Sequence, residues 1–478
     1  MLFDTPLFLL AFLPLAWAGF QLLARARGSL ALVFLLCVSF VFYASGNEAD
    51  LPLLAASILG NYWLAARVRA KAWFILAIGA NLAVLGLFKY GRLIAGSLGL
   101  PAPGLTLPLG ISFFTFQQIM YLSECRATGQ RGGFLAYANC IAFFAHLIAG
   151  PLVRPAEVMP QFAAAAHRRG IRTEDLAEGL TLVVLGLAKK LVLADGFAPL
   201  ANRGFAAAGA GVPLTFLEAW VALLAFALQI YFDFSGYSDI AIGLARIFGI
   251  RFPLNFNSPY KALTIRDFWR RWNITLSHFL RDFLYIPLGG NRHGEGRRRL
   301  NLMLTMLLGG LWHGAAWRFL LWGGLHGLYL ILHEGWDRVA PRWARLPRPL
   351  AQGITILAVL LAWVPFRCPD MATTGAMLRG LAGLNGIALP ARLIALWPPL
   401  GAIARSVPVL PALGDARTLS LPEAVAFLAL GWFIVLALPH LHEASPRWRA
   451  AGLVASGGFI TQALFYASAA QPFIYFRF

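Results

Sequence analysis

Apolar runs of about 20 residues recur along the chain between short polar or basic breaks, the length a helix needs to cross a bilayer. They fall at residues 5–24, 29–46, 50–66, 72–92, 107–124, 133–150, 176–194, 212–234, 300–315, 316–335, 349–366, 421–439 and 450–470. The first run has no basic residue ahead of it and no convincing cleavage site, because Arg25 and Arg27 follow it. It reads as a retained span rather than a signal peptide. Basic loops set the expected orientation. Arg25 and Arg27, then Arg67, Arg69 and Lys71, then Arg126 and Arg131 follow alternate runs, and Arg338, Arg342, Arg345 and Arg348 form another basic loop. The intervening loop 47–50 has no basic residue. The N-terminus is therefore expected to face away from the cytoplasm. The segment 151–175 carries Pro151, Pro155, Pro160, Arg168 and Arg169 and has to return to the cytoplasmic side. One of its neighbours is expected to be re-entrant, with irregular backbone buried in protein. The stretch 367–420, rich in Pro, Gly and Ala, is expected as an outward-facing variable loop. No internal repeat is visible.

One region breaks the pattern. Residues 233–299 are too polar to span a membrane and too rich in Trp and Phe for a free loop. Within it, Trp269, Trp272, Leu276, Phe279, Leu280 and Phe283 recur at helical spacing, with Arg266, Arg270, Arg271 and Arg281 between them. The spacing predicts an amphipathic helix in the cytoplasmic interface or partly sunk into the protein. Thr264 and Asp267 supply a start signal, and Pro287, Gly289 and Gly290 a stop.

Composition agrees with a polytopic membrane protein. The chain is 59% hydrophobic and 13% charged, and its mean hydropathy is +0.68. Its 40 Lys and Arg against 21 Asp and Glu give a net charge of +19. In a soluble domain that excess would suggest nucleic acid. Here it reads as basic loops held against anionic lipid, with no nucleic-acid partner. Cys37, Cys125, Cys140 and Cys368 lack metal-ligand spacing, so neither a disulfide framework nor a metal site is assigned.

Against this apolar background, few side chains can do chemistry. His313 lies within "LLGGLWHGAAWRFLLWGG". An ionisable group inside a membrane segment is expensive and marks a candidate site. Gly309, Gly310 and Gly314 permit close approach, and Trp312, Trp317 and Trp322 are placed to wall a pocket. A desolvated, neutral imidazole is a competent general base. The alternative is a histidine packed between spans and bonded to a carbonyl. His326 and His146, also in apolar surroundings, divide evenly between a packed and a functional role. His278, His293, His440 and His442 are expected to be solvated. "QIYFDFSGYSDIAIG" places Gln229, Asp233, Ser235, Tyr237, Ser238 and Asp239 at the end of a span. They form either a polar tunnel lining or, the favoured reading, a hydrogen-bonded knot joining the span to its neighbours. Asn273 carries an amide able to donate to an oxyanion, and the nearby arginines suit phosphates or lipid headgroups.

Three stretches, "FDFSGYSDIAIGLARIFGIRFPLNFNSPY", "DFWRRWNITLSHFLRDFLYIPLGGNR" and "GGLWHGAAWRFLLWGGLHG", resemble the membrane-bound O-acyltransferase family, most closely its bacterial alginate O-acetylation branch. "LPLGISFFTFQQIMYL", "AHLIAGPLVRP" and "QPFIYFRF" carry the likeness over most of the chain; it is weakest over about 370–420. The resemblance implies one all-α integral-membrane domain of about 11–13 transmembrane or re-entrant helices. A cytoplasmic funnel is implied too, with residues 229–335 as the catalytic core. It implies acyl transfer from a thioester to a hydroxyl. His313 falls on the family's essential histidine and Asn273 on its second polar position, where close bacterial relatives commonly carry histidine and the sterol and diacylglycerol branches asparagine. Acetyl-CoA is then the donor substrate, with no permanently bound cofactor. Its phosphates are expected near Arg270, Arg271 or Arg292, with Trp272 and Trp312 walling the donor site. The acceptor implied is an exported polysaccharide, served by a periplasmic serine-hydrolase-like partner, and the location implied is a bacterial inner membrane with the N-terminus on its periplasmic side. Alternatives are D-alanyl, peptidoglycan or lipid acylation, or a transporter or anchor without chemistry.

Overall fold

The structure, a computed structural model, describes residues 2–101, 104–168, 170–339, 346–390, 394–395, 397–402, 404–407, 421–466 and 473. Arg169, Arg342, Arg345, the end of the last run and all of the closing "QPFIYFRF" except Phe473 lie outside the described residues. The breaks between apolar runs become helix ends. α1 (Leu13–Ala26, entered through a π-helical turn), α2 (Gly28–Ala44), α3 (Leu51–Ala65), α4 (Lys71–Ser97) and α5 (Ile111–Thr128) fill the first five runs. α6 (Phe134–Ala142), α7 (Pro155–Ala166), α8 (Thr173–Leu187), α9 (Asp195–Gly209) and α10 (Phe216–Ile247) follow. The motif region holds α11 (Ile265–Trp269), α12 (Ile274–Leu280), α13 (Gly294–His313) and α14 (Trp317–Val339). α15 (Arg348–Arg367), α16 (Met371–Leu381), α17 (Leu421–Ala437) and α18 (Pro446–Tyr466) complete the helices. Among the described residues, the helices Phe8–Ala26, Lys71–Ser97, Phe216–Ile247 and Arg348–Arg367 are long and apolar enough to cross a membrane, and Gly28–Ala44 and Ala424–Ala437 are shorter apolar helices.

Four expectations need correction. The run 133–150 is not one span. α6 ends at Ala142, and residues 143–153 continue as irregular backbone whose apolar side chains are buried. This is the buried, non-helical stretch expected near 151–175. Its amides find partners: Phe144 N donates to Ser39 Oγ at 3.2 Å and Leu152 N to Thr275 Oγ1 at 3.0 Å. Unpaired amides at this depth would each cost several kcal/mol, which such capping avoids. The stretch 367–420 is also more ordered than a loop. It contains α16 and a two-stranded parallel pair, β1 (Ala388–Pro390) and β2 (Arg405–Val407); residues 408–420 lie outside the described residues.

The third correction concerns α10. It does not end near residue 234 but runs on to Ile247, carrying Asp233 and Asp239 in its interior. A capping box at Thr215 and Glu218 starts it. Ion pairs allow it to continue through a polar stretch. Lys189 Nζ lies 2.6 Å from Asp239, and Lys190 Nζ lies 3.0 Å from Asp233 and 2.7 Å from Asp195. Glycines bring α8 close enough to make these pairs. A Cβ on Gly186 would stand 2.7 Å from the Gly236 carbonyl oxygen, and one on Gly243 2.6 Å from that of Gly179. Glycines 7 apart on each helix let the two backbones touch, as small residues do between membrane helices.

The fourth is the amphipathic helix. Its apolar face is as expected, with Trp272, Leu276, Phe279 and Leu280 buried. Its backbone is broken. α11 stops at Trp269, Asn273 adopts a left-handed conformation with φ of 44°, and α12 starts beyond it. Thr264 Oγ1 accepts the Asp267 amide at 3.1 Å, the expected N-terminal cap. The broken path wraps around an aromatic core instead of lying straight in an interface.

Candidate active site

α13 and α14 form a tight hairpin around His313. A Cβ on Gly310 would collide with the Phe319 carbonyl, and one on Gly323 with that of Met306, so only glycine permits this crossing. His313 is the last residue of α13, where extended Gly314 ends the helix. It is 6% exposed. Its ring meets Trp322 edge-on at 4.8 Å, Phe366 at 5.0 Å and Trp312 at 4.7 Å.

The same indole of Trp322 meets His326 edge-on at 4.8 Å, so it stands between the two imidazoles. His326 is fully buried, boxed by Trp269 at 5.0 Å and Tyr329 at 5.9 Å. Asn273 is 4% exposed and joins this core through its neighbour: Trp272 packs on Trp363 at 5.0 Å, Trp363 on Phe366 at 5.2 Å, and Phe366 on His313. A run of touching rings thus links the neighbour of Asn273 to His313, which lies 40 residues beyond Asn273 in the sequence. Trp363 and Phe366, from α15, were not picked out in the sequence, because nothing there ties α15 to the motif.

Lys89 was missed too. It approaches from α4, and its ammonium donates to the Trp312 carbonyl at the C-terminal end of α13, while Tyr90 Oη donates to the Leu311 carbonyl at 2.7 Å. A cation at a helix C-terminus is favourable. A lysine inside an apolar run was the available signal.

A cleft of about 480 Å³ opens beside this core between α11, α12, α13 and α14. Trp269, Thr305 and Met306 line it, with Arg266, Arg281 and Arg298 among its cations. Thr305 lies eight residues before His313 on α13, about 12 Å along a helix. Arg298 pairs with Glu334, and Arg281 with Asp282 at 2.6 Å. Burial pushes the Asp282 carboxyl up, but Arg281 and Arg154 beside it prevail and hold it below the usual carboxylate range.

The arginines expected to meet phosphate are placed differently. Arg271 is held by Asp267 at 2.9 Å, Arg270 and Arg292 are exposed, and none of the three lines the cleft. Trp317 is 74% exposed and does not line the cleft. His146 is buried, with Nδ1 3.2 Å from Gln117 Nε2 and its ring 5.0 Å from Phe252. Asp233 and Asp239 sit in the ion pairs with Lys190 and Lys189, Ser235 is fully buried, and Tyr237 stacks between Phe3 and Phe473. His278 and His293 are exposed as expected. His440 is not: it is 3% exposed. His442 docks on Asp239 at 3.0 Å.

The model of the membrane-bound O-acyltransferases matches residues 105–368, from just before α5 to the end of α15. The chain belongs to this family. The match takes in Asn273, His313, His326 and the cleft together. The acyltransferase is 41% identical over 431 residues to a peptidoglycan O-acetyltransferase of Helicobacter pylori, covering 81% of each chain. It is 40% identical over 398 residues to a probable alginate O-acetylase of Pseudomonas aeruginosa, covering 79% of this chain and 74% of that one. A teichoic acid D-alanyltransferase of Streptococcus thermophilus is more distant, 27% identical over 246 residues. The acyltransferase is a multi-pass membrane enzyme that transfers acyl groups to oxygen.

Proposed function

We propose that the acyltransferase takes acetyl groups from cytoplasmic acetyl-CoA and passes them towards hydroxyls of an exported cell-envelope polysaccharide, through a periplasmic serine-hydrolase-like partner. The buried imidazole at the end of α13, in an aromatic core that an arginine-lined cleft borders through Trp269, carries this reading. Relatives named for O-acetylation of peptidoglycan and alginate support the acetyl group and the glycan acceptor. The cleft arginines Arg266, Arg281 and Arg298 suit the phosphates of the donor better than Arg270 and Arg292, which lie outside the cleft. His313 takes the proton of the acceptor hydroxyl as its oxygen attacks the thioester carbonyl. A C–O bond forms, the C–S bond breaks, and the departing thiolate takes the proton back from the imidazolium. The Asn273 amide donates to the oxyanion formed in between.

The test of donor and acceptor is direct. Membranes containing the acyltransferase and its exported partner are given acetyl-CoA labelled in the acetyl group. Label should enter the envelope glycan as an alkali-labile ester. Transfer from a carrier-protein thioester but not from acetyl-CoA would replace this reading with D-alanyl-type chemistry.

Asn273 can be tested apart from its backbone. Alanine there would add about 1–2 kcal/mol of left-handed strain, confusing the result, whereas Asn273→Gly keeps the bend and removes only the amide. A lost oxyanion donor costs about 10²–10³-fold in kcat. The initial rate per folded enzyme should fall by that much; an unchanged rate would leave Asn273 as a turn residue.

A further inference from the structure

A second, larger opening lies between α14 and α15, with a volume of about 1310 Å³. Its walls are apolar, built from Tyr329, Leu332, Trp336, Leu346, Ile354 and Ala358. Leu332 is 59% and Ile354 49% exposed, so the groove opens sideways through the surface formed by α14 and α15. An aqueous solute gains little from such walls, while an acyl chain is at home against them.

The ends of the groove differ. Tyr329 and Ala358 close one end. The other end lies where α14 stops and α15 starts, and there the lining turns polar, with Asp337 and Arg348. Asp337 is already shared, 3.7 Å from Arg266 and 3.5 Å from His333. Arg348 has no carboxylate partner among the described residues. Arg299, also in the lining, has only the exposed Glu295, at 3.6 Å, as a carboxylate partner among the described residues. The mouth therefore keeps a surplus of positive charge. Trp336 stands at this end half-exposed, a residue type that settles at the headgroup level of a bilayer.

We propose that the groove holds an anionic phospholipid, its phosphate against Arg348 and Arg299 and its chains along Leu332 and Ile354. Basic pockets between membrane helices on the cytoplasmic side take such headgroups, and the basic loops put this end on that side. A second copy of the chain fits less well, because a twofold contact here would bring Arg348 against Arg348. The lipid site is independent of the acyl-transfer reading and stands or falls by itself.

The full chain is purified in a neutral detergent and titrated with phosphatidylglycerol or phosphatidylcholine under native mass spectrometry. One phosphatidylglycerol should stay bound per chain under conditions that strip phosphatidylcholine. Each basic residue near a lipid surface is worth about fivefold in binding. Arg299→Gln with Arg348→Gln should thus cut the preference by about 25-fold, and the two Arg→Lys changes should largely keep it. Ala351→Phe, which narrows the groove without touching a charge, should expel the lipid from a chain that still migrates as a folded monomer. Equal retention of both lipids, an unchanged preference in the double variant, a lipid that survives Ala351→Phe, or a dimer in place of the lipid-bound chain would each overturn the assignment.

Discussion

Replacing His313 with alanine should lower acyl transfer by about 10²–10⁴-fold, the usual worth of a general base, while the protein stays in the membrane at its normal level. The geometry explains why fold and activity separate here. The imidazole sits at the very end of α13, so removing it leaves no helix interior unsupported. The hairpin that holds it is fixed by backbone contact at Gly310 and Gly323, which the substitution does not touch. The aromatic rings around it, Trp322, Phe366 and Trp312, also pack on other rings. The variant should therefore elute as the native protein does and fail only in the labelled-acetyl assay. His313→Gln, which restores bulk and polarity but cannot take a proton at neutral pH, should be equally inactive. Full transfer by either variant would make His313 a packed histidine and dismiss the proposed mechanism. Loss from both, with normal elution, assigns the deficit to the base.

Asp239→Ala should be the most damaging single change to stability, by about 3–5 kcal/mol. Asp239 is 2% exposed and holds two partners, the Lys189 ammonium at 2.6 Å and the His442 imidazole at 3.0 Å. Removing one member of a buried pair strands the other charge without water to solvate it. Two long-range attachments would go together: α10 to the π-helical turn that prolongs α8, and α10 to the loop between α17 and α18. Thermal unfolding in detergent, followed by loss of the monodisperse peak, measures the effect. The double variant Asp239→Leu, Lys189→Leu should be less destabilised than the single alanine variant, because neither charge is then left buried. A single variant as stable as the native chain would mean that these ions are solvated after all.

The chain disclosed its helices better than its site. Runs such as 349–366 became α15 with ends within a residue or two, because apolar composition alone makes a segment favour a membrane and helical hydrogen bonding. α10 was cut short because hydropathy counts Asp233 and Asp239 as polar. It cannot see that Lys190 and Lys189, some 40–50 residues away in sequence, neutralise them. The break at Asn273 escaped for another reason. The apolar spacing of Trp269, Trp272 and Leu276 is the same whether one helix or two short ones present it. Only the residue type, tolerant of the left-handed region, hinted at a turn. Arg270, Arg271 and Arg292 do not line the cleft, because nearness to the motif in sequence does not fix which way a side chain faces. Arg298, on another helix, lines the cleft, while Arg271, next to Trp272, is tied to Asp267. His442 was taken for a solvated residue because its partner lies 203 residues earlier in the chain.

The irregular stretch 143–153 sets a condition on how the protein is made. Its Leu152 amide is capped by Thr275, 123 residues further along. When the ribosome has delivered α6 and α7 to the bilayer, that cap has not yet been synthesised. The nascent N-terminal part must hold the Leu152 amide without that partner, kept by the insertion machinery or by water, until residues 252–280 arrive. Translation pauses or truncations between α7 and α12 should thus leave fragments that quality-control proteases remove, while a chain split after α12 should assemble from its two parts.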